Sequence, residues 1–240
     1  MSSYKLHSVF AIVLGFLFFQ NPLLIGACFI GANFPDNDHE IKKDNVYRLI
    51  IVGLVLFIIL YILKLPYNLA ILICLLGLIF LFSSHRGFTH SIFGSIIISI
   101  ILYLIILMAS KLLFLIPGFK SLNNYYILSL IIVLIFLSVF SLNRELCSIF
   151  ILLLVLSYIV FPFNNLNNSL LLFALFLGLL SHIILDSFSS SGVKVLSPLY
   201  NKKFYKTFGI LMMVILFILS FLKFRGILYL FINYYIFKFI

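Results

Sequence analysis

Acidic side chains are nearly missing from this 240-residue chain. Four aspartates and two glutamates stand against sixteen lysines and arginines, and charged residues of both signs make up only 9%. Soluble domains carry about 25% charged and roughly 45–50% apolar residues, whereas here 65% is hydrophobic and the mean hydropathy is +1.30. A water-soluble globule is excluded, because no such fold could hide apolar surface this large and continuous. Period-2 alternation is also scarce despite the isoleucine and phenylalanine content, and without alternating faces a membrane barrel is excluded. Cys28, Cys74 and Cys147 lie singly in apolar runs with no CxxC pairing, so they read as small hydrophobic residues rather than ligands or disulfides. No P-loop, GxGxxG or GxSxG occurs, which leaves nucleotide-loop and nucleophile-elbow chemistry without a motif.

What the chain has instead is a succession of apolar runs. A helix needs about 20 residues to cross the hydrocarbon layer, and the candidates are 9–32, 49–63, 67–83, 92–116, 125–142, 146–161, 170–185, 208–222 and 227–239. They predict an all-α, polytopic membrane protein with about 8–10 membrane helices. Gln20-Asn21-Pro22 interrupts the first run, and a central proline removes a helix hydrogen bond, so this run is read as two half-helices folded into a re-entrant hairpin. One kinked span is the alternative, and a lipoprotein-like signal ending at Ile25-Gly26-Ala27-Cys28 is a third. The final LYLFINYYIFKFI reads as an interfacial aromatic anchor with Lys238 snorkelling.

The scarce polar residues are not scattered. They concentrate in Asn33-Phe34-Pro35-Asp36-Asn37-Asp38-His39-Glu40, in His85-Arg86-Gly87-Phe88-Thr89-His90-Ser91 and in His182-Ile183-Ile184-Leu185-Asp186. Four of five histidines and three of four aspartates lie there; His7 stands apart. Counting one crossing per run puts all three clusters on one side of the membrane, and the hairpin brings His7 to that side too. Eleven basic residues share it (Lys5, Lys42, Lys43, Arg48, Arg86, Arg144, Lys194, Lys202, Lys203, Lys206 and Lys238), against Lys64, Lys111, Lys120, Lys223 and Arg225 opposite. The positive-inside rule then predicts a cytoplasmic site in a multi-pass inner-membrane protein.

Spacing says what the clusters allow. His182 and Asp186 are four apart, hence on one helix face, as two ligands or a ligand and its orienting partner require. Asp36 and Asp38 follow Pro35, where an extended turn can aim both carboxylates one way. His85 and His90 are five apart, poor for one face, so Gly87 is expected to break the chain and Thr89 to cap the next helix. Singly, each has a plain reading: an interfacial histidine, a turn-forming aspartate, a hydrogen-bonded His–Asp pair. Together they point to a site, since ionisable groups at membrane depth are costly and usually functional.

GANFPDNDHE, HRGFTHS and GLLSHIILDSFSSSGVKVLSPL resemble, in order and spacing, the PDxDH, HRGxTHS and HxxxD-plus-Gly motifs of the YdjM-like membrane-bound metal-dependent hydrolases. His7 matches their N-terminal histidine, and the resemblance covers roughly residues 5–200. It implies a ligand pattern similar to the zinc-dependent phospholipase C and P1 nuclease superfamily, with His7, Asp36, Asp38, His85, His90, His182 and Asp186 as the metal set. Asn37 departs from the apolar residue usual between the aspartates. Residues 1–206 would form the membrane-embedded hydrolase domain and 207–240 the C-terminal membrane helices.

Imidazole with carboxylate suits a divalent transition metal, zinc first, and seven ligands suggest two or three ions. Asp36 or Asp38 would double as general base, and Arg86, Thr89 and Lys194 would bind an anionic lipid or other phosphoester; Lys202 and Lys203 read as ordinary loop retention. No nucleic-acid partner is expected. The rival classes are a transporter, which would need more polar groups within its spans, and a non-catalytic scaffold with a structural metal.

Overall fold

The computed structural model describes residues 4–161 and 167–239, with side chains except those of Tyr4, Ile41 and 226–239. Among the described residues the chain forms nine α-helices: α1 (Tyr4–Phe18), α2 (Pro22–Asn33), α3 (Lys43–Ile62), α4 (Asn68–Phe82), α5 (Ile92–Leu113), α6 (Tyr125–Ser141), α7 (Arg144–Val160), α8 (Asn168–Asp186) and α9 (Lys206–Phe239). The expected all-α class holds. Among the described residues four stretches are long and apolar enough to cross a membrane: Lys43–Ile62, Ile92–Leu113, Asn168–Asp186 and Lys206–Arg225.

The first apolar run is broken where proline demands it. Pro22 opens α2 at a position whose N–H would be unpaired anyway, and Asn21 caps it by accepting from the Leu23 amide at 2.9 Å. The two helices then run antiparallel, since Gly15 lies against Ile25, Cys28 Sγ reaches the Ala11 carbonyl and Ser8 Oγ donates to Asn33 Oδ1 at 3.0 Å. At ~1.5 Å per residue neither half spans the ~30 Å hydrocarbon layer. The run is a hairpin rather than one kinked span, and it returns His7 to the end where α2 finishes.

Helix α8 is the centre of the bundle, packed against α1, α2 and α5, with Leu175, Leu179 and Ile183 wholly buried. It crosses α2 at glycines: a Cβ on Gly31 would strike the Leu175 carbonyl, and one on Gly178 would strike that of Cys28. Small residues let the two backbones approach this closely. The three polar segments meet at one end of the bundle, where Ile92 N donates to Val195 O at 2.9 Å and Lys42 Nζ to Ser141 O at 3.3 Å.

One expectation is corrected. Runs 208–222 and 227–239 belong to a single helix, α9, which continues through Lys223-Phe224-Arg225-Gly226. Residue 238 therefore lies about 48 Å along α9 from its start, and the basic tally becomes ten against six. The proposed anchoring by Lys238 and its aromatic neighbours falls outside the described side chains.

Candidate metal centre

The site is assembled from two helix ends and two interhelix segments. His7 comes from the first turns of α1, Asp36 and Asp38 from the 3-10 turn Pro35–Asp38 after α2, His85 and His90 from the loop between α4 and α5, and His182 and Asp186 from the end of α8. All seven expected ligands converge. His182 and His90 are fully buried, and three overlapping triads have donor atoms within 4.8 Å of one another: His7, His182 and Asp186; Asp36, His90 and His182; Asp38, His85 and His90.

Each central imidazole is oriented from behind. His182 Nδ1 donates to the Ala32 carbonyl at 2.7 Å, a contact set up by the close α2–α8 crossing. In the neutral ring this leaves the lone pair on Nε2. His90 Nδ1 lies 3.1 Å from Asp38 Oδ2, so its lone pair is likewise on Nε2. The two Nε2 atoms face each other at 3.2 Å. His182 Nε2 is also 3.4 Å from Asp36 Oδ1 and 3.6 Å from Asp186 Oδ2, and His90 Nε2 is 3.4 Å from Asp186 Oδ2. Ligands bonded tetrahedrally at ~2.0–2.2 Å would be separated by roughly 3.3–3.6 Å. The donor set fits a divalent ion, which would relieve the opposition of the two lone pairs.

Asp38 ties the two loops together. It meets His85 Nδ1 through Oδ1 at 2.8 Å, and its Oδ2 accepts a short hydrogen bond from the Thr89 hydroxyl. Burial works against its charge, yet the bonds to His85, His90 and Thr89 prevail and hold its carboxyl well below the usual range. Burial opposes ionisation of Asp36 too, but the fields of His182, Lys42 and His90 keep it low. The bond to Asp38 raises His85 above its ordinary 6.5.

The 84–88 loop owes its shape to Gly87, where a Cβ would collide with the Ser84 carbonyl at 2.8 Å, and to Arg86 in the left-handed region at φ 60°. That conformation costs a non-glycine residue about 1–3 kcal/mol. It turns the guanidinium inward, with one nitrogen 3.8 Å from Asp186 Oδ1 and another donating to Ser189 Oγ at 2.8 Å. Thr89 is not the helix cap: Ser91 caps α5 by accepting from Gly94 N at 3.0 Å. The Thr89 hydroxyl is buried and committed to Asp38 and His90, so the substrate-binding role expected for it has no open group behind it. Lys194 stands outside the cluster, lining a groove on the other side of the 84–88 loop.

Sequence reasoning missed the Ala32 carbonyl, Ser189 and Lys42. Burial lowers the Lys42 amine while Asp36 and Asp38 oppose that shift, which places Lys42 within the electrostatic reach of both carboxylates. Its position after the PDxDH-like stretch was the only available signal.

The sequence profile of the family described as YdjM inner membrane protein matches residues 1–142, more than half the chain. No curated protein and no solved structure matches. The chain belongs to the YdjM inner membrane protein family. The matched region carries the first two motifs and stops before α7, so His182 and Asp186 join that part of the chain through the fold.

Proposed function

We propose that this YdjM-family membrane protein is a metal-dependent hydrolase that cleaves a phosphoester of a lipid or other anionic substrate at the cytoplasmic membrane surface. The observation that carries the reading is the confrontation of His182 Nε2 and His90 Nε2, each imidazole fixed from behind by a carbonyl or carboxylate. His90, His182, Asp36 and Asp186 would hold the central ion, zinc in the first instance. A second ion would have to avoid their nitrogens. His182 has spent Nδ1 on Ala32, so the triads containing His7 and Asp36 cannot both use it, and two ions rather than three is the upper count. When bound, such an ion supplies Lewis acidity toward a phosphoryl oxygen and acidifies water.

The chain's own groups supply the rest. Asp36 is the more open of the two loop carboxylates, its side chain 22% exposed, and can take a proton from water. Asp38, deeper and fully engaged, positions His90 and His85. Arg86 presents positive charge beside Asp186 for an anionic group. The ten-to-six basic asymmetry supports the cytoplasmic side.

Metal analysis of the purified protein, with phosphodiesterase and lipase-type assays of metal-loaded and chelated samples, tests the proposal. Wild type should bind a transition metal stoichiometrically and turn over substrate; His90→Ala, His182→Ala and Asp186→Asn should lose both. The complete burial of His90 and His182 favours a second reading, a scaffold stabilised by a closed structural metal. Bound metal without any activity would select it.

A further inference from the structure

The loop that carries His85, Arg86 and His90 into the cluster has a second face. There Ser84, Gly87 and Phe88 line a groove of about 580 Å³, open to the outside. Its opposite walls are the end of α4, with Leu78, Ile79 and Phe82, and the 194–201 segment, with Lys194, Ser197 and Asn201. The two walls differ in chemistry. The α4 side is apolar and exposed, Phe82 at 83%, whereas the other side offers an ammonium, a hydroxyl and an amide. No acidic residue lines the groove among the described residues.

The surroundings repeat this division. Leu199 and Tyr200 are exposed at 77% and 51%, with Lys202 and Lys203 following Asn201 and Lys206 at the start of α9. Exposed apolar and aromatic groups beside a basic row suit the boundary between acyl chains and headgroups, where anionic lipids concentrate against lysine. Its volume falls within the range of small-molecule sites, enough for a headgroup and the first part of a chain whose remainder stays in the bilayer.

We propose that this groove seats an anionic phospholipid drawn sideways from the surrounding leaflet, its phosphate at Lys194, Ser197 and Asn201 and its chain along Leu78 and Phe82. That the same lipid is the substrate rests on the hydrolase reading above. Because residues 84–88 form the groove on one side and reach the His/Asp cluster on the other, a lipid seated there lies one loop away from the carboxylates.

The test uses full-length protein in nanodiscs containing phosphatidylglycerol or phosphatidylcholine with a photoactivatable group near the top of one acyl chain, the adducts being mapped by peptide mass spectrometry. Phosphatidylglycerol should label residues 78–88 and 197–201 at least five-fold more than phosphatidylcholine does. Lys194→Glu should abolish that preference and Lys194→Arg should keep it. Equal labelling by both lipids, or labelling no denser here than along α3, overturns the proposal. Inorganic phosphate at millimolar concentration should leave the labelling unchanged; competition by it would mean an anion site without lipid selectivity and also overturns the proposal. Labelling without turnover of the lipid supports the seat and counts against the hydrolase. Turnover of a soluble phosphodiester without labelling overturns the seat and leaves the hydrolase standing.

Discussion

His182 donates from Nδ1 to the carbonyl of Ala32 at 2.7 Å, across the crossing of α8 and α2. This bond makes the site's central imidazole dependent on how closely two helices approach, and Gly178, one turn earlier on α8, sets that approach. Gly178→Ala forces a methyl against the Cys28 carbonyl. Overpacking of this kind costs about 1–3 kcal/mol, and the shift should also pull His182 off Ala32. Thermal unfolding of the metal-free protein and metal stoichiometry should both fall; unchanged metal content would show that the crossing does not hold the imidazole.

Asp38 should act through its neighbours. Asp38→Asn removes the charge that orients His90 and His85 but keeps the shape, and loss of such an outer partner typically lowers metal affinity by about 10–100-fold. Competition with a calibrated chelator measures it. Thr89→Val, which deletes the hydroxyl bonded to Asp38, should move affinity in the same direction by a smaller factor.

His85 makes a prediction about pH. Its pair with Asp38 raises it above 6.5 while Asp38 stays ionised throughout the neutral range. The protonated pair therefore stabilises the metal-free fold fully below pH 6.5, and that contribution fades as pH climbs through the raised value. Metal must displace the same proton, so affinity should strengthen across this interval. His85→Gln should flatten both trends, measured by thermal unfolding without metal and by chelator competition between pH 6 and 8.

Topology is open to direct labelling. With native cysteines replaced, Lys203→Cys should resist a membrane-impermeant thiol reagent in intact cells and Lys64→Cys should react. The reverse pattern would move the site to the outer face.

The helical class and the convergence of the clusters were legible because the signals are strong and local: long apolar runs, a central Pro22, and His182 and Asp186 one turn apart. Roles inside the cluster were not. Thr89 looks like a helix cap from its place before α5, yet Ser91 takes the cap and frees Thr89 for Asp38, a choice decided by a segment fifty-one residues earlier. The Ala32 carbonyl carries no side-chain signature at all. Lys223 and Arg225 suggested a loop between two spans, but a lysine on a helix can find a partner in another helix, and there the local pattern misled.

That partner is the carbonyl of Phe18, the last residue of α1, to which Lys223 Nζ donates. The last carbonyls of a helix have no intrahelical donor. The ammonium that answers one of them is made 205 residues later. α9, which like α3–α7 bears none of the seven candidate ligands, thus fastens the far end of the helix that carries His7.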